Sequence, residues 1–345
     1  MSRVIVSIVL CVYNEEERLS ECLESLFNQN TDKDDFEIII IDDQSVDDTY
    51  KIIMDFISVY SSRCNVRYYK IKHGGLSTAR NTGIEKSLGK LIAFIDGDAK
   101  ADNNWLKSII SGFCQEDVFA VSGKIENLNT ESPFAEFIHK AHFMPSSNVG
   151  KSHLVGANMA FRREFFLLAG GFINDFTYRG DETCLLAKFL QSNPNKVEKY
   201  SPDAIVFNEH APNLKTWLSW QYQEGRGGQV IHKLFGKTDL YTLIKPIIRL
   251  GYVTFIPHLV FYTRTDFIVI HLMFFLLRIY GRRSYLRCCY LNVVKYYSKF
   301  HGLKAIIIVL LGTFVADVAN ILEWIFPNKK MKLVSSSGEI IETVV

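Results

Sequence analysis

The chain has 345 residues, 48% of them hydrophobic, and its 39 Lys and Arg nearly balance its 37 Asp and Glu, for a net charge of +2. That length allows one large domain with an appendage, or two domains. The near-neutral balance carries no whole-chain signal for nucleic acid, and no nucleic-acid partner is expected. Seven cysteines (Cys11, Cys22, Cys64, Cys114, Cys184, Cys288 and Cys289) include no C-x-x-C pair and are odd in number, which fits buried free thiols in a reducing compartment rather than a disulfide framework.

The N-terminal stretch "MSRVIVSIVLCVYNEEE" has one Arg and a short apolar run, but no small-residue cleavage site follows. It reads as a first strand rather than a leader. Its β-branched run is that of a strand buried on both faces. In "EEERLSECLESLFNQN", Leu19, Cys22, Leu23, Leu26 and Phe27 share one helical face, with acids in the first turn. "FEIIIID" is a second buried strand, and Ile52, Ile53, Phe56, Ile57 and Tyr60 mark a second amphipathic helix. "VRYYKI", "STARNTGIEKSL" and "LIAFID" continue as strand, helix and strand. This βαβαβαβ order predicts a mostly parallel sheet covered on both faces, with any ligand outside the carboxyl ends of the strands.

Those ends are polar. The first strand runs into Tyr13-Asn14-Glu15, the second into Asp42-Asp43 and then Ser45, Asp47 and Asp48, the third into His73-Gly74-Gly75, and the fourth into Asp96-Gly97-Asp98. One or two such ends are ordinary turn and cap chemistry; four on one rim point to a site. Two aspartates around a glycine suit Mg²⁺ or Mn²⁺, which prefer oxygen ligands and share them with substrate phosphates.

These stretches resemble the family 2 glycosyltransferases, inverting enzymes with the GT-A nucleotide-diphospho-sugar-binding fold. The matching segments are "VSIVLCVYNEEERLSECLESL", "EIIIIDDQSVDDT", "HGGLSTARNTGI", "LIAFIDGDA", "GANMAFRREFFLLAGGF", "GDETCLLAKFL" and "EGRGG", in family order across residues 5–236. The resemblance implies roles by position. Tyr13, Asn14 and Glu15 line the base and ribose pocket, and Asp43 or its neighbour Asp42 contacts the base or ribose. Gly75 and Arg80 approach the nucleotide and its phosphates, with a salt bridge on the third helix as the competing role for Arg80. Asp96 meets the ribose or the metal shell, and Asp98 ligates Mn²⁺ or Mg²⁺. Asn158 contacts the donor sugar or acceptor, or else is a buried amide bonded to backbone. Arg226, among flexible glycines, faces the diphosphate. His210 either reaches the metal or is a packed, hydrogen-bonded residue.

An inverting transferase must take a proton from the attacking hydroxyl. Related sequences read Glu-Asp where this chain reads Asp181-Glu182, with the second acid as base. Glu182 is therefore favoured as the catalytic base, and Asp181 takes the role if the helix start is shifted. The polymerising members' Q-x-x-R-W is absent, which argues for transfer of a single sugar. The resemblance implies a nucleotide-diphosphate sugar as donor, with a UDP-sugar as the favoured expectation and the base not readable from the residues.

After residue 240 the composition changes. Apolar segments at about 247–263, 265–281 and 303–326 surround a basic stretch with Arg282, Arg283, Arg287, Lys295 and Lys299. The expected organisation is a catalytic domain over 1–240, hydrophobic and basic membrane-associated helices over 241–330, and a tail over 331–345. The apolar segments are expected as amphipathic helices that pack on the domain or lie in the membrane interface, or as a short hairpin into the bilayer; in either case the basic residues lie on the cytoplasmic face, which fits a lipid-linked or glycan acceptor. Two rivals remain: a non-catalytic membrane scaffold that binds nucleotide sugars, and a sugar-phosphate nucleotidyltransferase, which the acidic "CVYNEEE" disfavours.

Overall fold

The computed structural model describes residues 4–140, 154–174, 176, 179–193 and 195–235, helical residues between 304 and 319, and the strands at 331–334 and 340–343. The first half alternates as the sequence predicts: β1 (Val6–Val12), α1 (Leu19–Phe27), β2 (Phe36–Asp42), α2 (Thr49–Tyr60), β3 (Asn65–Lys70), α3 (Leu76–Lys86) and β4 (Leu91–Asp96). There follow β5 (Lys100–Ala101), α4 (Trp105–Gly112), β6 (Val118–Asn127), α5 (Pro133–Ile138), β7 (Met159–Arg162), α6 (Arg163–Ala169), α7 (Asp181–Ser192), β8 (Val197–Asn208) and α8 (Leu214–Phe235). One sheet joins the first eight strands in the order β3-β2-β1-β4-β7-β6-β8-β5. Only β7 and the two-residue β5 run against the others. A separate antiparallel pair, β9 (Met331–Val334) and β10 (Ile340–Thr343), lies in the expected tail.

The apolar run of β1 is continuous because both of its faces are covered. Val6, Ile8, Leu10 and Val12 join the core with Leu19, Leu23 and Leu26 of α1 and Trp105 and Ile109 of α4. Val9 belongs to the opposite core, with Phe94 and the aromatic and aliphatic side chains of α6 and α7. The register sets Cys11 beside Asp96 and Val12 beside Asp42, so the carboxylates finishing β2 and β4 emerge on either side of the β1 end.

The "EGRGG" segment departs from expectation. It is not a flexible loop but the middle of the 22-residue helix α8. Gly225 is there for close packing: a Cβ would stand 2.0 Å from the Ala316 carbonyl oxygen. The 304–319 helix thus crosses α8, with Thr313 and Asp317 buried and Ile307 exposed. Among the described residues no helix is long and apolar enough to cross a membrane. The apolar segments at 247–263 and 265–281 and the basic residues between 282 and 299 lie outside the described residues.

Candidate active site

The rim is tied together by backbone-directed bonds from the polar strand ends. Asn14, at φ 56°, donates its N–H to Ser45 Oγ (3.0 Å), and its Oδ1 accepts from Val46 N (3.0 Å). Glu15 N donates to Thr49 Oγ1 (2.8 Å) and Glu16 N to Asp47 Oδ2 (3.2 Å). A positive φ at a non-glycine residue is costly unless its surroundings hold it, and these bonds do so by clamping the β1 loop to the β2 loop.

Asp42 and Asp43 divide their tasks. Asp42 is fully buried, accepting from Ser45 N (2.7 Å) and the Tyr68 hydroxyl (2.9 Å). It shapes the turn and presents nothing to the rim. Asp43 accepts from the N–H groups of Gly74 (2.8 Å) and Gly75 (2.9 Å), with His73 Nδ1 at 3.0 Å. It anchors the loop that starts α3, where Gly75 takes φ 82°. Tyr13, 47% exposed, packs against the His73 ring at 4.7 Å between centroids. His73 carried no role in the sequence reading; its place directly before Gly-Gly at a strand end is the signal that was available.

Arg80 is the hub. Projecting from α3, it is 2% exposed and packs over Phe94 and Phe172. Its Nη1 donates to Asp181 Oδ2 at 2.6 Å, and its Nη2 lies 3.5 Å from Asp96 Oδ1. The ion pair, the competing role named for it, is thus what its guanidinium forms with Asp181. It ties the end of β4 to the N-terminus of α7, which begins immediately after Gly180 at φ 100°.

This hub separates the two acids of α7. Burial would raise the Asp181 pKa, but the Arg80 guanidinium and a Glu182 hydrogen bond hold it below the ordinary carboxylate value. Glu182 goes the other way: burial, and then the Asp181 charge, push it up to about 8. Asp181 is thus a fixed anion occupied by Arg80, and Glu182 a proton-accepting group poised near neutrality.

Beside the hub, Asp96, Asp98 and Glu15 form an acidic cluster whose members raise one another. Burial, and then Asp96, push Asp98 up to about 6. Burial, Asp98 and Asp96 push Glu15 up to about 7. Asp96 is also raised, because burial outweighs Arg80. Among the described residues no three His, Cys, Asp or Glu side chains converge as a metal cage. One or two carboxylates that gain from an added cation nevertheless fit Mg²⁺ or Mn²⁺, which complete their shell with water and phosphate oxygens.

One further expected contact, Asn158, is turned away from the rim. Asn158 is fully buried, accepting from Trp105 Nε1 (2.9 Å) and donating to the carbonyls of Lys124 (2.8 Å) and Ala204 (2.9 Å). It is the buried amide and has no face left for a sugar. Arg226 sits on α8, with Nη1 3.3 Å from the Tyr222 hydroxyl. His210 is buried against His139, Nε2 to Nδ1 at 3.0 Å, and His139 Nε2 lies 3.0 Å from Glu126.

Residues 7–167 match the family model described as glycosyl transferase family 2. The chain is 34% identical over 122 residues to the glycosyltransferase AglE of Haloferax volcanii, a match covering 35% of this chain and 39% of that protein. The first curated relatives are matched over less than half of their own length. In overall shape it is similar to the mannosyltransferase PcManGT of Pyrobaculum calidifontis, solved with GDP-Man and Mn²⁺, with a TM-score of 0.62 and 16% identity, covering 95% of this chain and 88% of that one. It is also similar to S. aureus TarS 1–349 in complex with UDP-GlcNAc, with a TM-score of 0.50 and 13% identity, covering 99% of this chain and 100% of that one. At such identities these two structures show a shared fold.

Proposed function

Because the chain belongs, through residues 7–167, to the family 2 glycosyltransferases, we propose that it moves one sugar from a nucleoside-diphosphate sugar to an acceptor hydroxyl, inverting the anomeric centre. The observation that carries this reading is the Arg80 hub. It draws Asp96 and Asp181 together, and so brings an acidic cluster suited to a cation beside a carboxyl group suited to proton removal.

Tyr13 and His73 offer two exposed rings, tilted 33° to each other, as a surface for the base. Asp98, with Asp96, would hold Mn²⁺ or Mg²⁺, and a bound cation supplies charge neutralisation to the departing diphosphate. Glu182 takes the acceptor proton as the acceptor oxygen attacks the anomeric carbon and the bond to the diphosphate breaks. Asp181 stays ionised on Arg80 and, by its charge, keeps Glu182 basic. The complexes of the two similar structures, one with GDP-Man and Mn²⁺ and one with UDP-GlcNAc, support a nucleotide-sugar donor and leave UDP and GDP as the bases to compare. The apolar and basic composition after residue 240 supports work at the cytoplasmic face of a membrane on a lipid-linked or glycan acceptor.

The direct test is calorimetry of UDP, GDP and dTDP with and without Mn²⁺, on the wild type and Asp98→Ala. Metal-dependent binding of one nucleotide, at least tenfold weaker in the variant, is expected. A folded wild type that binds none of them would overturn the reading.

A further inference from the structure

Arg80 and Arg226 were the residues expected on the donor's phosphates. Arg80 is enclosed, with its Nη1 2.6 Å from Asp181 and its Nη2 3.5 Å from Asp96, so its charge is already matched. A second arginine comes to the same hub from the chain that leads into α7. Arg179 stands two residues before Asp181, no more than about 7 Å from it between Cα atoms. Gly180, between them, turns the chain with its left-handed φ of 100°. The positive charge of Arg179 reaches Asp96, where with Arg80 it works against the burial that raises that carboxyl's pKa. It therefore belongs beside the carboxylates expected to hold the cation.

What holds the guanidinium leaves its donors uncommitted. Its carbon lies over the Trp220 ring of α8 at 4.7 Å, a stacking contact that orients the group and uses no N–H. Its Nε is 3.9 Å from Glu224 Oε1, which is too long for a hydrogen bond. The side chain is 45% exposed. A planar fork held on an aromatic ring is suited to paired hydrogen bonds with phosphate oxygens. The balance of charge points the same way. Asp96 and Asp98 together match one divalent cation, and Asp181 matches Arg80. A departing nucleoside diphosphate takes the electron pair of the bond that breaks at the anomeric carbon. It adds negative charge that those groups do not balance, and donors placed where such charge develops lower the barrier. We infer that Arg179 is a diphosphate-binding residue of the donor site, and that its N–H groups stabilise the diphosphate as the leaving group. This rests on the glycosyl-transfer reading and deepens it by naming a side chain that meets the leaving group in addition to the cation.

The test compares UDP with UMP, and GDP with GMP, by calorimetry on the full chain with and without Mn²⁺. The wild type should bind the diphosphate of one pair more tightly than its monophosphate. Arg179→Ala should weaken that diphosphate by about tenfold or more, the loss of a charged hydrogen bond. It should leave monophosphate binding and the dependence on Mn²⁺ as in the wild type. Arg179→Lys, which keeps the charge but loses the fork, should be intermediate. Circular dichroism checks that the variants are folded. Undiminished diphosphate binding in Arg179→Ala would overturn the assignment. An equal loss for diphosphate and monophosphate would overturn it too, by placing the effect on the base pocket. Loss of the Mn²⁺ dependence would do the same, by making Arg179 a partner of the metal carboxylates alone. Failure of the glycosyl-transfer reading shows separately, as a folded wild type that binds neither UDP nor GDP in the presence of Mn²⁺.

Discussion

Replacing Glu182 by Gln should push activity and stability in opposite directions. The glutamine keeps the shape of the side chain but cannot accept the acceptor proton, so turnover should fall by about 10²- to 10⁴-fold, the usual contribution of a positioned base. Stability should rise, because Glu182 is held where its charge is unwelcome, with its pKa raised from 4.5 to about 8. A carboxyl group raised on folding contributes stability that is complete below its unfolded value and lost as pH climbs through its folded value. The advantage of the variant over the wild type should therefore be near zero at pH 4, grow between about pH 4.5 and 8, and level off above. At about 1.4 kcal/mol per pH unit the ceiling is roughly 5 kcal/mol, and because Asp181 titrates with Glu182 as a pair, the gain read for one residue falls below that. Denaturant unfolding at pH 5, 7 and 9, without metal or nucleotide, measures the gap, and nucleotide release from the donor measures turnover. A gap independent of pH would refute the electrostatic assignment, and wild-type turnover in Glu182→Gln would remove Glu182 from the mechanism.

The remaining predictions concern the scaffold of the site. Arg80→Met should cost about 3–5 kcal/mol, because it leaves the Asp181 carboxylate buried without its partner; an equilibrium unfolding curve unchanged from wild type would contradict the hub. Adding Asp181→Asn to that variant should recover part of the loss, a coupling that a double-mutant cycle reads directly. Asn158→Ala should destabilise the chain by about 1–3 kcal/mol by stranding Trp105 Nε1 and two carbonyls. Its effect on donor affinity in the folded fraction should be absent; a large rise in donor KM without loss of stability would restore Asn158 to the sugar site. Metal-assisted nucleotide binding should weaken as pH falls through about 6, where Asp98 takes up its proton, and calorimetry at pH 5.5 and 7.5 checks this.

The alternating elements and the polar strand ends were readable from the chain itself. A run such as "FEIIIID" can only be a strand covered on both faces, and it forms β2 over the same seven residues, Phe36–Asp42. The first turn of α7 with its two acids was equally local, because a helix start is written in adjacent residues. Which acid keeps its proton was not local. That depends on Arg80, which is 101 positions before Asp181 along the chain and 2.6 Å from it in the fold. The same holds for residues that the family pattern placed in the site. Asn158 and Asp42 turn inward because partners from remote segments, Trp105 and Ala204 for one and Tyr68 for the other, satisfy every polar atom there. The glycines of "EGRGG" look flexible in sequence, but they continue a helix once a second helix packs against Gly225.

Sequence by itself therefore determined the layered α/β framework, the edge on which chemistry gathers and the residue types gathered there, because periodicity and turn preference are properties of neighbours along the chain. Tertiary structure alone decided which of those carboxylates are anchors, which are charged, and that Arg80 is enclosed. Burial and electrostatic coupling act through space, between groups that the sequence holds far apart.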